Sequence, residues 1–425
     1  MANAFSKEER VAFEDILEGF NDALVLSRNV ATYNTNSTEM ERSQDTIWRP
    51  QPYIANSIDG APGTDISALY KDMVQLSVPA TLGFSKTVPW TLNAKELRDA
   101  LQEGRLGDSA KQKLASDINV ALMNVASAQG TLFVKRTAAA TGFDDVAQCE
   151  AVFNEIGVPS YDRYLALSTR DYNGMAGNLA GRQNVTDLPK EAYRRAYVGM
   201  IASFDTYKLD YANRKVAAAG GAGLTISTLD AAVNYYTPQA TSTSVGGKIN
   251  VDNRYQTITV STSAGVVAGD AFTIAAVNAV HHITKGDTGQ LKTFRVISVP
   301  AGGTTLVISP PIISNQVASD AGAQYQNCVV NTKAAASAIV FLNTVAAYAN
   351  PFWQKDALEI LPGRYAVPSD AGTAVMRAST DQGIELVMQK FYDIDTMKTK
   401  YRLDTLFGVV CKQPEMAGLM MFSQT

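Results

Sequence analysis

Residues 217–223 read AAAGGAG, and the composition of the chain changes at that point. From there to about residue 330 it is rich in Thr, Val, Ile, Ser and Gly. The runs QTITVS (256–261), DAFTIAA (270–276), KTFRVISV (292–299) and TTLVISP (304–310) are short and apolar, with turn-forming chain at Val266–Asp270 and Pro300–Gly303. Short strands at regular spacing with turn signals between them predict an all-β sandwich or barrel. The glycine cluster is not a phosphate cradle: it lacks GxxxxGK[ST] and GxGxxG, and Leu-Thr-Ile follows it instead of a helix start. Gly220, Gly221 and Gly223 therefore read as a domain hinge.

On either side of this block the pattern is mixed. Upstream, Ser6 and Glu9 have capping-box spacing, and Phe13, Ile16, Leu17, Phe20 and Leu24 recur at helical intervals, which predicts an amphipathic helix over 6–30. A docking arm and an ordinary packed first helix both fit this stripe. TIWRPQPYIANSIDGAPGTDIS (46–67) is rich in Pro, Gly, Asn and Asp and predicts extended, turn-rich chain. Asn93 and Glu96 again have cap spacing. Residues 108–130, with Leu114, Ile118, Leu122 and Val125 on one face, form the clearest helix, a rod of roughly 35 Å. YLALS (164–168) reads as a buried strand. Asp187-Leu-Pro189 reads as a helix start, and Tyr193, Tyr197, Phe204, Tyr207 and Tyr211 follow at helical spacing. Downstream, KAAASAIVFLNTVAAYA (333–349) reads as helix stopped by Asn350-Pro351, and 383–410 as long β-structure. The fold class is thus α+β, with an all-β domain inserted into a helix-containing host.

Composition narrows the function. The chain has 425 residues and a net charge of −4, with no basic tail or stripe of the kind that collects phosphates. Three cysteines, Cys149, Cys328 and Cys411, without a CxxC, fit buried small hydrophobes in a reducing compartment. His281 and His282 are the only histidines; on a strand they point to opposite faces, which removes most Ser-His-Asp and zinc schemes. Asp144-Asp145 reads as a solvated turn. Neither a secretory signal nor a membrane span is expected. No enzyme, cofactor or metal follows from these residues. Mixed charge over Asp381–Asp404, including Lys390, Arg402 and Asp404, protects strand edges and is suited to pairing across subunits.

Four stretches resemble a known family. DTIWRP (45–50), DLPKEAYRRAYVGMIASFD (187–205), NVDNRYQTITVSTSAGVVAGD (250–270) and FWQKDALEI (352–360) are similar, in order and position, to segments of the coat proteins of short-tailed phages related to the Salmonella transducing phage. NVDNR is the most specific of them. The turn before it, SVGGK, carries Lys248 as its only charge, where the family has acidic residues.

The resemblance implies a Hong Kong 97-type capsid fold with an inserted domain. Residues 1–45 would be an N-terminal arm and 46–92 an extended loop over a neighbouring subunit. Residues 93–140 would hold the spine helix of a peripheral domain, and 141–220 with 334–375 would build an axial domain. Residues 221–333 would be the inserted β-barrel, and 376–425 would return to the peripheral domain. It further implies a major capsid protein that forms hexamers and pentamers of an icosahedral shell. Scaffolding and portal proteins would be its partners, with packaged double-stranded DNA held without sequence-specific binding. Assembly would take place in the host cytoplasm and the final location would be the virion. Trp48, Arg49, Tyr53, Phe13, Phe20, Lys248, Arg402 and Asp404 are the expected subunit contacts. The rivals are a storage-shell subunit of the same fold, which would carry protein cargo, and a hydrolase with an accessory β-domain, which would need a catalytic constellation.

Overall fold

The computed structural model describes residues 5–33, 46–52, 57, 63, 65–67, 70–93, 96, 100–180, 199–209, 213–220, 223–227, 235–317, 319–331, 336–367 and 373–425. The chain divides into two compact units. One comprises Met1–Ile47, Ala80–Asn124 and Leu358–Val410, the other Trp48–Pro79, Val125–Ala357 and Cys411–Thr425.

In the first unit, α1 spans Lys7–Ala23. It opens with the expected capping box: Ser6 N–H donates to Glu9 Oε2 at 2.7 Å, and Glu9 N–H donates to Ser6 Oγ at 3.2 Å. Two orphan amides of the first turn are thereby satisfied. The helix ends at Ala23, short of residue 30, because Ala31–Thr32 is drawn into a sheet beside Glu359 and Ile360. Its apolar stripe packs inside the subunit, with Phe13 and Ile16 each 5% exposed and Phe20 and Leu24 fully buried. The packed-helix reading is the one the structure supports. Phe13 and Phe20 have no apolar surface left for a neighbour. A second helix, α2, runs over Ala100–Gln129, about 45 Å. It is longer than expected, and its buried face holds Leu114, Ile118 and Leu122. Just before it, Asn93 and Glu96 make the reciprocal bonds of a second capping box, at 2.9 and 3.0 Å.

The sheet of this unit runs Ala31–Thr32, Leu358–Pro362, Lys398–Cys411, Glu385–Asp393, Ala374–Ser379, and Phe84–Asn93 also pairs with Lys398–Cys411. Cross-strand rings stack, Phe84 on Phe407 at 5.3 Å and Trp90 on Tyr401 at 5.7 Å. Lys390, expected among the mixed charges of a half-exposed strand, is half-buried and matched inside the subunit. Its ammonium lies 2.5 Å from Glu9 Oε1, which also accepts from the Tyr401 hydroxyl at 2.6 Å. Burial alone would raise the Glu9 pKa. The hydrogen bonds from Lys390, Tyr401 and Ser6 outweigh it and hold the carboxyl below the usual glutamate range. One carboxylate thus caps α1 and ties it to two strands.

In the second unit, a six-stranded sheet runs Leu132–Lys135, Ala417–Met421, Asn350–Gln354, Arg163–Ser168, Phe204–Leu209, Met200–Ile201. Arg163–Ser168 is buried throughout, as YLALS predicts. It pairs in parallel with Phe204–Leu209, so Phe204 and Tyr207 are strand residues. Pairing to a fully buried strand overrides their helical spacing. Tyr193, Tyr197, Tyr211 and the helix start at Asp187–Pro189 lie outside the described residues. Helices α3 (Phe143–Ile156) and α4 (Thr169–Ala180) cover the sheet. Phe153, Phe204 and Phe352 meet at centroid distances of 5.1 to 6.2 Å. The buried Arg163 guanidinium lies 5.3 Å from the Phe153 ring centroid and donates to the carbonyls of Pro159 and Val158 and to Asn154 Oδ1. Asp145 is not a solvated acid. It is fully buried, with Arg136 Nε at 2.6 Å and donors from Thr141 and Gly142.

The same unit holds the barrel. Thr225–Ser227, Ala336–Phe341, Ala271–Val280, Asp287–Ser298, Thr305–Ser309 and Gln256–Thr259 follow one another, and Ile226 bridges Val260, so the sheet closes on itself. Phe272, Ile274, Phe294, Val296, Leu306 and Ile308 fill it. Two expectations are corrected. Residues 336–341 are a strand, not a helix. Ser337 and Ile339 point inward while Ala336, Ala338 and Val340 face out, and the strand pairs with both Thr225–Ser227 and Ala271–Val280. Two ladders outweigh the helix propensity of its alanines. The barrel therefore extends past residue 333. Among the described residues the block also contains a short helix, α5 (Asp320–Tyr325), capped by Ser319. His281 and His282 follow the strand that ends at Val280 and occupy a turn, not a strand.

Two outcomes follow from this packing. Glu9→Gln leaves the half-buried Lys390 without its counter-charge and is expected to cost about 2 kcal/mol at pH 7 by denaturant titration. Because the Glu9 pKa is depressed, its contribution is complete above the ordinary glutamate value and is lost as pH falls through the folded value. The gap between wild type and variant should therefore close below about pH 4. For the barrel, a fragment of residues 214–345 should unfold cooperatively in calorimetry, whereas 221–333, lacking a closing strand, should not.

Candidate subunit-contact surfaces

The expected contact residues are divided between the two units, Phe13, Phe20, Arg402 and Asp404 in the first and Trp48, Arg49 and Lys248 in the second. Trp48 and Arg49 lie half-buried on the strand Thr46–Pro50, and Tyr53 lies outside the described residues. Lys248 sits on a two-stranded hairpin, Thr241–Ser244 with Gly247–Asn250, whose second strand is exposed along its length. Val245 at its tip is fully exposed and Ile249 is 53% exposed. Arg402 and Asp404 pair with each other inside the subunit at 2.6 Å. Asp404 is 1% exposed and also accepts from Thr87 Oγ1 and Gln389 Nε2, so its charge is already matched; Arg402 keeps about half of its side chain in solvent.

Of the hinge glycines, Gly220 is a packing position. A Cβ there would lie 2.4 Å from the Phe341 ring. Neighbouring Ala218 N–H donates to the Asn343 carbonyl at 2.8 Å. Gly223 has φ +85°, a turn conformation that favours glycine. Gly221 lies outside the described residues.

NVDNR turns out to be a docking element. Asn253 accepts from the Tyr236 hydroxyl and Gln239 N–H and donates to the carbonyls of Gln239 and Val251. Arg254 forms a forked pair with Asp252, with Nη2 at 2.7 Å from Oδ2, and donates through Nη1 to the Cys411 carbonyl at 2.9 Å. The motif thereby ties the barrel to the C-terminal segment of its own unit. Close by in the fold, Lys292 pairs with Glu415, and His282 N–H donates to the Ile156 carbonyl. Burial pushes the His282 pKa down against the opposing pull of Glu415. Arg254, His282, Lys285 and Glu415 line a cavity of about 150 Å³.

The chemistry of these groups is structural. Among the described residues, no group of three His, Cys, Asp or Glu is placed to hold a metal, and no helix is long and apolar enough to cross a membrane. The three cysteines are free and buried; burial pushes the thiols of Cys328 and Cys411 up to about 12. They pack as small hydrophobes.

The family model described as P22 coat protein, gene protein 5, matches residues 1–423. Among solved structures, the chain is similar to that of Mycobacterium phage Che8, at 9% identity over 93% of this chain and 90% of that one, with a TM-score of 0.44. It is similar to the capsid of the cyanophage P-SCSP1u at 9% identity over 93% and 86%, with a TM-score of 0.42. The CUS-3 coat protein I-domain matches at 39% identity over 29% of this chain and 98% of that one, with a TM-score of 0.22. The family match, which runs through host and insertion alike, decides the assignment: the chain belongs to the P22 coat protein family.

Proposed function

We propose that this chain is the major capsid protein of a tailed double-stranded DNA phage, a structural protein and not an enzyme, whose copies close into an icosahedral shell. The observation that carries this reading is the family match over residues 1–423. Closure requires that heterologous contacts between identical subunits meet at fixed geometry, in hexamers and pentamers. A scaffolding protein guides that geometry and a portal protein occupies one vertex. Assembly takes place in the host cytoplasm. The near-neutral chain, with net charge −4, confines packaged DNA without gripping it.

The contacts we assign are those that the subunit leaves open. Trp48 and Arg49, half-buried on Thr46–Pro50, belong by sequence to the loop over a neighbour together with Tyr53, which lies outside the described residues, and Arg402 retains exposed charge. The Lys248 hairpin offers the exposed Val245 and Ile249 beside its single cation, a small apolar contact with little charge. Phe13, Phe20 and Asp404 do not belong to this set, because they are consumed inside the subunit.

Negative-stain microscopy of the protein expressed with a candidate scaffold should show closed round shells or polyheads, with sedimentation far above a monomer. A persistent monomer would overturn the reading. Trp48→Ala and Val245→Asp should each reduce shell yield at least several-fold, and Val245→Asp, at a fully exposed position, should leave the melting temperature of the unassembled subunit unchanged. Unchanged yield in both would remove these contacts from the interface.

A further inference from the structure

The short helix α5 has no counterpart in the sequence reading and is placed against extended chain from a distant part of the sequence. An extended backbone sends the N–H and C=O of alternate residues to one edge. At residues 72, 74 and 76 that edge meets three side chains of α5. Asp72 N–H donates to Asp320 Oδ2 at 3.1 Å, and the Asp72 carbonyl accepts from Gln324 Nε2 at 2.8 Å. Val74 N–H donates to Gln324 Oε1 at 3.3 Å, and its carbonyl accepts from the Tyr325 hydroxyl at 3.0 Å. Leu76 N–H donates to the same hydroxyl oxygen at 3.3 Å. Asp320 and Gln324 are four apart and share one helix face. A carboxamide both donates and accepts, as does a phenol, so two side chains can follow one backbone edge for four of these five bonds.

We propose that α5 is a backbone clamp: Asp320, Gln324 and Tyr325 of the inserted barrel take the place of a neighbouring strand and set the path of residues 72–76 in the free subunit. All five bonds go to main-chain atoms, so the clamp recognises extended conformation at a fixed register and not residue type. The far end of the segment is fixed independently, by Gln51 N–H to the Leu76 carbonyl at 2.9 Å and by the bridge between Ser77 and Asp252. The side chains of Tyr70 and Met73, 80% and 67% exposed, stay at the surface while the backbone is held. The clamp therefore orders the segment without covering those side chains. A segment ordered before it meets a neighbour loses less freedom on contact. That consequence for assembly rests on the shell-building reading above; the clamp itself does not.

Residue-resolved amide exchange on the unassembled full-length chain tests the proposal. Val74 and Leu76 amides should be protected. Tyr325→Phe removes the hydroxyl and keeps the ring, and should speed exchange at Leu76 by about three- to tenfold. Gln324→Leu should do the same at Val74. Barrel amides at Phe272 and Ile274 should not change in either variant, which separates loss of the clamp from loss of the fold. Val74 and Leu76 exchanging at unprotected rates in the wild type, or unaltered in both variants, would overturn the clamp. In parallel, Tyr325→Phe should raise the protein concentration needed for shells to form. Faster exchange with an unchanged threshold would leave the clamp standing and overturn the loop's part in assembly.

Discussion

The carboxamide of Asn350 holds together segments that the sequence sets far apart. The residue is fully buried at the start of a central strand. Its Oδ1 accepts from Ser168 N–H at 2.7 Å, and its Nδ2 donates to Asp171 Oδ2 at 2.9 Å and to the Met420 carbonyl at 3.3 Å. Asp171 and Ser168 in turn cap α4. An apolar side chain here would leave the buried Ser168 amide unmatched, and an unmade buried bond costs more than a made one returns. Immediately before it, Ala347–Tyr348 pairs with Arg214–Lys215. The entry to the insertion and its exit therefore form one antiparallel ribbon that ends at this hub.

A second asparagine repeats the device on the barrel side. Asn343 Oδ1 accepts from Ala271 N–H at 3.0 Å, and its Nδ2 donates to Asp270 Oδ1 and to the Val216 carbonyl. With Arg254 bound to the Cys411 carbonyl and Thr293 Oγ1 bound to the Thr131 carbonyl, the insertion is fastened to its unit by side chains that reach main-chain atoms. Such bonds depend on backbone path more than on the partner's side chain. They tolerate substitution in the partner as long as its main chain keeps its course.

This explains what the sequence disclosed. Both capping boxes, the long α2, the buried YLALS strand and the closed β-block were legible, because each rests on local rules: cap spacing, a 3.6-residue period, turn residues between short apolar runs. The strand at 336–341 was not, since its alanines favour helix and only two distant ladders make it extended. The error carried into the barrel's boundary. Asp145 and Asp404 are buried by partners from elsewhere in the fold, and a sequence shows an ionisable group but not the partner that buries it. NVDNR stood out as a motif, yet its work, a bond to Cys411 some 157 residues away, has no local signature. Phe13 and Phe20 looked like an interface only because the surface that covers them is formed by other parts of the fold.

The distribution of matched charge bears on how such a subunit can build a shell. Glu9 with Lys390, Asp145 with Arg136, Asp252 with Arg254 and Glu415 with Lys292 are largely satisfied within the subunit. Ion pairs shielded from solvent are screened little by salt and serve to fix geometry. Among the described residues, the surface keeps scattered apolar side chains, such as Val245 and Ile249 on the hairpin and Tyr70 and Met73 beside the clamp, and the partly exposed Arg402. Individually weak contacts repeated over a closed lattice add up through multivalency, and weak ones let a misplaced subunit leave before the shell closes. Accuracy then depends on each subunit presenting its contacts at a fixed path and register. The buried pairs, the two asparagine hubs and the grip of Gln324 and Tyr325 on residues 72–76 place that precision inside the subunit and leave the interfaces reversible.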